Sequence, residues 1–226
     1  MWNLNVFNQF MSQKNYKVKE MYYTLQGEGG QAGRAAVFLR FSGCNLWSGR
    51  EEDREKAICK FCDTDFWGTD GVNGGKYTAG QLAEKVDDLW KAEVSSNDGQ
   101  PLVVCTGGEP LLQLDLAAIT ALKSKGFEIA VETNGTIELP EGLDWVCVSP
   151  KAGSELVVKK GSELKLVYPQ LPFDPQACLS LDFKYFFLQP MDGLYRLENT
   201  EKCVEYIKKH PKWRLSIQTH KLIGLP

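Results

Sequence analysis

The 226-residue sequence has no long apolar run, no secretion-type start, no block of like charge and no internal repeat. Each absence excludes something. The apolar stretches fall well short of the roughly 18 residues a membrane helix needs, so no spanning segment is expected and the protein reads as soluble. The opening residues, MWNLNVFNQFMSQK, have neither a basic start nor a continuous apolar core, and the expected location is the cytoplasm. Lys and Arg number 26 against 29 Asp and Glu, a formal net charge of −3. Without a concentrated basic patch, a nucleic-acid surface is not expected. The seven cysteines are an odd count, which suits a reducing compartment and thiols kept for metal work or packing rather than a disulfide framework.

What is present is a series of short apolar runs bounded by Gly, Pro or Asn: AAVFLRF at 35–41, then 102–106, 127–132, 145–149, 163–168, 185–189 and 214–218. These read as buried strands. Helical periodicity appears over 78–92, where Leu82, Val86, Leu89 and Trp90 share a face and Thr78 with Gln81 forms a capping box. Two further helices are expected over 114–125, stopped by Gly126, and over 199–210, stopped by Pro211. Strands alternating with helices predict a parallel sheet. Too few helices are available for a full eight-fold barrel. The expected fold is α/β, an abridged and partly open (β/α) barrel of about six parallel strands and three main helices in a single domain over 1–226. Residues 1–15 read as an N-terminal extension of unassigned role. The polar segments SGC, GGEP, TNG, PK, PMDG and THK each follow a predicted strand, so they should line one mouth.

Cys44, Cys59 and Cys62 have the spacing C-x14-C-x2-C. Three thiolates suit a [4Fe-4S] cluster with one iron left open, whereas a fourth ligand from elsewhere would make a structural zinc site. Spacing alone leaves both open. The segment 45–64 between and after these cysteines contains a charged stretch over 45–58 that has room for a short helix or a docked reductase and reads first as a solvated loop. Arg40 interrupts an apolar strand, so it either faces an anion or belongs to a structural pair.

The aromatic Phe61 before the third cysteine and the downstream GGEP resemble the radical S-adenosylmethionine (SAM) superfamily. The long first gap, with LQGEGGQAGRAAVFLRFSGCNLW, CKFCDTDF, TGGEPLLQ, VETNGT, SPKAG, LQPMDG and the terminal QTHKLIGLP, resembles its 7-carboxy-7-deazaguanine synthase branch. The resemblance implies a carbon-nitrogen lyase with a barrel of the radical SAM type. In it Cys44, Cys59 and Cys62 hold a [4Fe-4S] cluster, and SAM is cleaved to methionine and a deoxyadenosyl radical. The implied substrate is 6-carboxy-5,6,7,8-tetrahydropterin, contracted to 7-carboxy-7-deazaguanine with loss of ammonia for queuosine, a transfer-RNA modification.

Carried over by motif, Phe61, Cys62, Asp63, Gly108, Glu109, Ser149, Pro150, Lys151, Gln189, Pro190, Met191 and Asp192 would contact SAM. Thr64, which by itself reads as a turn residue, would bind Mg²⁺. Leu25, Gln26, Gly27, Glu28, Arg40, Thr106, His220 and Pro226, the last through its terminal carboxylate, would contact the pterin. No side chain is assigned as a catalytic acid or base, because the chemistry belongs to SAM and the cluster. The implied partners are a flavodoxin-like or other reductant and a second copy of the chain in a homodimer.

Cys105, Cys147, Cys178 and Cys203 lack ligand spacing and read as core residues. His210 reads as a surface cap, and Trp90 and Phe186 as packing. Two rival readings are an activase for glycyl-radical enzymes, which keeps a short first cysteine gap, and a zinc-stabilised binding module without catalysis. Iron content and colour separate the latter from an iron-sulfur enzyme.

Overall fold

Among the described residues, nine strands form one sheet in the order β3-β1-β2-β4-β5-β6-β7-β8-β9. The structure, a computed structural model, describes residues 14–95 and 99–226; most of the predicted N-terminal extension, 1–13, lies outside the described residues. The strands are β1 (Tyr16–Leu25), β2 (Ala35–Phe41), β3 (Gly75–Tyr77), β4 (Leu102–Gly107), β5 (Glu128–Thr133), β6 (Trp145–Val148), β7 (Lys160–Tyr168), β8 (Asp182–Pro190) and β9 (Trp213–Leu215). From β2 through β4 to β9 every neighbouring pair is parallel. That makes seven parallel strands where about six were expected. β1 and β3 add an antiparallel edge that the sequence reading did not include.

The helices are α1 (Ala79–Glu93), α2 (Leu116–Ser124), α3 (Pro175–Cys178), α4 (Arg196–Lys209) and α5 (Thr219–Ile223). α1 starts where expected because Thr78 accepts from the Gln81 amide while the Gln81 side chain accepts from the Thr78 amide. α2 is capped by Asp115, whose Oδ1 accepts from the Ala118 amide. α3 and α5 are short and were not predicted. The 45–58 stretch, read first as a solvated loop with a short helix as the alternative, carries a 3-10 helix over Glu51–Lys56, where Arg54 pairs with Glu51.

Period-two alternation sends one face of each strand to the helices and the other into the barrel. On the helix side, Val37, Leu39 and Phe41 of β2, Val103 and Cys105 of β4, and Ile129 and Val131 of β5 pack with Leu82 and Val86 of α1 and Ile119 and Leu122 of α2. A second cluster joins Leu164, Leu166, Phe186, Leu188 and Trp213 with Cys178 and Cys203. Each such fully buried aliphatic side chain contributes about 1.5–3 kcal/mol over an exposed one. Trp90 packs edge-on against Tyr23 and Phe127, and Phe186 against Trp213. His210 ends α4 and stacks on Tyr206 at 4.3 Å. On the barrel side, Ala36, Leu102, Val104 and Ala130 form a small apolar plug with Phe38 and Trp145 against it. Cys147 is buried in the core as expected, with Glu163 as its neighbour on the barrel side.

Candidate active site

Above the apolar plug, the carboxyl ends of the parallel strands surround a cavity of about 510 Å³. A parallel sheet carries its loops at this end, so side chains from distant segments meet here. Cys44, Cys59 and Cys62 all line the cavity, and all three are free thiols. Cys44 follows β2, and Gly108 lets it sit close: a Cβ on Gly108 would lie 2.4 Å from the Gly43 carbonyl oxygen and 2.7 Å from Cys44 Cβ. Gly107 is tighter still, with φ +150 and a Cβ position 2.3 Å from the Phe41 carbonyl oxygen. The glycines of GGEP are therefore required by the approach of this turn to the cluster strand.

The hydrogen bond from the Cys59 thiol pulls the Cys62 pKa down to about 6, and Cys59 correspondingly holds its proton. Burial pushes Cys44 up. Among the described residues no three His, Cys, Asp or Glu side chains gather closely enough to hold a lone metal ion. A cluster asks for a different arrangement, one thiolate on each of three irons, and the free thiols at one cavity wall fit that donor set.

The cavity is also lined by Phe61, Asp63, Thr64, Gly108, Ser149, Lys151, Gln189, Pro190 and Asp192. Lys151 donates to the Ser149 carbonyl at 2.7 Å and to its hydroxyl at 2.6 Å, and its ammonium stands 5.9 Å from the Phe61 ring centre. Burial holds the Lys151 pKa below the ordinary lysine value. Three predicted SAM contacts do not line the cavity. Glu109 is fully buried behind it, where its carboxylate accepts from the Leu111 amide, the Thr133 hydroxyl and the Asn134 amide. It staples GGEP to TNG, and burial raises its pKa. Pro150 is buried with its carbonyl accepting from Gln170, and Met191 continues the strand, its amide bonded to the Tyr168 carbonyl.

Leu25, Gln26, Glu28, Arg40, Thr106, His220 and Pro226 line the cavity as well. Gly27 lies just behind: a Cβ there would meet His220 Nδ1 at 2.1 Å, so the absent side chain makes room for the imidazole. Of its two alternatives, Arg40 shows the structural pair. Its Nε donates to Glu20 at 2.8 Å and its guanidinium to the Tyr22 hydroxyl at 3.1 Å, yet it remains on the cavity surface. A guanidinium has five N–H donors, so those two contacts leave donors for a ligand.

Sequence reasoning missed Glu132 and Lys165. Both line the cavity, on barrel-facing positions of β5 and β7. Lys165 pairs with Glu28 and, at 3.3 Å, with Glu132. Glu132 also accepts from Gln26 Nε2 at 3.0 Å and lies 3.5 Å from the Thr106 hydroxyl. Burial alone would lower the Lys165 pKa, but Glu132 and Glu28 carry it well above the ordinary value. Burial would likewise raise Glu28, yet Lys165 and Gln218 outweigh it and hold Glu28 below the usual carboxylate range. The signal that could have found both was the one that singled out Arg40: a charge at a period-two position inside an apolar strand.

The chain is 62% identical over 212 residues to the 7-carboxy-7-deazaguanine synthase of Caulobacter vibrioides, covering 93% of this chain and 99% of that one. It is 42% identical over 209 residues to the 7-carboxy-7-deazaguanine synthase of Bacteroides thetaiotaomicron, covering 92% and 98%. The crystal structure of QueE from Escherichia coli superposes with a TM-score of 0.67 at 25% identity, covering 96% of this chain and 99% of that one. No protein-family model matches the chain.

Proposed function

Because the chain belongs to the 7-carboxy-7-deazaguanine synthase family, we propose that its cavity takes SAM against Cys44, Cys59 and Cys62 and the pterin against Arg40, Glu28 and Glu132. The protein is a radical SAM enzyme that contracts 6-carboxy-5,6,7,8-tetrahydropterin to 7-carboxy-7-deazaguanine with loss of ammonia, in queuosine biosynthesis. One observation carries the placement of both ligands: the three cysteines and seven of the eight expected pterin residues open onto a single cavity.

The cluster and SAM, when bound, supply the radical that starts the reaction; this chain's residues orient the reactants and exclude water. Phe61, Asp63, Gly108, Ser149, Lys151, Gln189, Pro190 and Asp192 form the SAM wall. On the other wall the carboxylates of Glu28 and Glu132, both paired with Lys165, match the N–H donors on the pyrimidine edge of a pterin. Arg40 and His220, which line the same cavity, carry the N–H donors that suit the substrate carboxylate. Thr64, which lines the cavity, would hold Mg²⁺, whose charge would help bind the anionic substrate. A flavodoxin-like or other reductant delivers the electron, and the working unit is a homodimer in the cytoplasm. Among the described residues no helix is long and apolar enough to cross a membrane.

Replacing Glu132 by Gln removes a charged acceptor worth about 1.5–3 kcal/mol to a bound N–H donor. The expected outcome is a rise of at least about tenfold in KM for the pterin with SAM affinity unchanged. An unchanged pterin KM in this variant would place the substrate elsewhere.

A further inference from the structure

The terminal motif QTHKLIGLP contributes more to the cavity than His220. Lys221, the next residue, sends its ammonium to Asp63 Oδ2 and Asp192 Oδ2, both at 2.6 Å. These carboxylates come from segments 158 and 29 residues away in sequence. One follows the last cluster cysteine; the other follows β8. Sharing one ammonium, their oxygens stand no more than about 5 Å apart, close enough to repel strongly if the cation were absent. Lys221 also lines the cavity.

The same short helix grips the pterin wall. Thr219 donates its amide and its hydroxyl to the Gly27 carbonyl, at 3.0 and 2.8 Å. Gln218 donates to Glu28 at 2.9 Å and lies 3.3 Å from Asp63. Between these grips His220 packs over Gly27. α5 therefore spans the mouth, with Lys221 as its only ionic tie, among the described residues, to the SAM wall.

We propose that Lys221 is a positioning residue that couples the two walls, holding Asp63 and Asp192 together for SAM while fixing His220 over the pterin, so that each ligand tightens the binding of the other. This rests on the placement of SAM and pterin given above. An isolated exposed ion pair is worth little, and Lys221 is 32% exposed. Its effect lies in geometry: one cation sets the separation of two like charges and the docking of a helix. Substituting it by methionine leaves two mutually repelling carboxylates and an untied helix.

The test uses the full chain, reconstituted with its cluster and kept oxidised so that no turnover occurs. Affinities for SAM and for the pterin are measured alone and with the other present, in the wild type, Lys221→Met and Lys221→Arg. In the wild type, saturating SAM tightens the pterin by about tenfold or more, within the usual range for coupled sites, and by reciprocity the pterin tightens SAM by the same factor. Lys221→Met brings that factor close to one, while Lys221→Arg retains most of it. A factor equal in the wild type and Lys221→Met, or absent from the wild type, overturns the proposal. Amide exchange of residues 219–226 in the ligand-free protein provides an independent reading. Exchange there speeds up about tenfold in Lys221→Met while the amides of 102–107 are unaffected; unchanged protection overturns the clamp. If the wild type does not bind the pterin at all, the substrate reading fails, and the exchange result alone decides whether Lys221 holds the helix.

Discussion

Three charged side chains that line the cavity, Arg40, Glu132 and Lys165, each belong to a run that otherwise reads as apolar strand. Arg40 was legible because a lone arginine in AAVFLRF is expensive to bury without a partner. Glu132 and Lys165 obey the same rule but come from two different strands, and sequence could not show that β5 and β7 point them at each other. The Glu28–Lys165 pair also has a pH signature. Lys165 and Gln218 hold the folded-state pKa of Glu28 below the ordinary value against the cost of burial, with Glu132, Glu163 and Cys147 as the other titratable neighbours of the lysine. A carboxylate with a depressed folded pKa contributes stability above its unfolded pKa, and that contribution is lost as pH falls through the folded value. Denaturant unfolding should therefore show stability declining below about pH 4. Lys165→Met should cost about 3–5 kcal/mol at neutral pH by leaving buried carboxylates unpaired. It should also abolish that acid-side decline, since burial then raises Glu28. A variant as stable as the wild type at pH 7 would contradict the pairing.

Among the elements, the parallel strands and the three long helices followed from apolar periodicity and capping residues, whereas the antiparallel edge did not. β1 reads YKVKEMYYTL, in which Lys17, Lys19 and Glu20 break up the apolar pattern. Two of those charges have work to do. Glu20 pairs with Arg40, and Lys19, almost wholly buried, joins Asp65 and Asp70, each at 2.8 Å, and the Trp67 carbonyl at 2.9 Å. Lys19 thus pins the chain as it leaves the cluster loop to the sheet edge, just past Cys62 and Thr64. The short helix α5 was hidden for a related reason: it has five residues and no side-chain cap hydrogen bond at its start, so its place is set by partners across the mouth rather than by its own pattern. Lys19→Met removes hydrogen bonds from a charged donor, each worth about 1.5–3 kcal/mol. The thermal midpoint should fall by several degrees, at roughly 2–4 °C per kcal/mol for a chain of this size. Iron content after reconstitution should fall with it, and full iron loading with an unshifted midpoint would show that Lys19 does not pin the loop.

At the scale of the whole molecule, the two large apolar clusters lie on the helix side of the sheet and contain none of Cys44, Cys59 and Cys62. The sheet should therefore fold without the cluster, unlike small metal domains whose folding energy comes from the metal. Cys59→Ala is expected to keep the far-ultraviolet circular dichroism and cooperative unfolding of the wild type while losing the brown absorbance of the iron-sulfur protein. Loss of cooperative unfolding would mean that the loop supports the fold. The central claim is that one cavity joins three cysteines to a pterin-shaped polar wall and performs a ring contraction there. It is tested most directly by anaerobic reconstitution with iron and sulfide, followed by SAM, Mg²⁺, a strong reductant and 6-carboxy-5,6,7,8-tetrahydropterin, with mass spectrometry of the products. The account predicts 7-carboxy-7-deazaguanine from the wild type and none from Cys59→Ala. A reconstituted wild-type protein that cleaves SAM and leaves the pterin unchanged would contradict it.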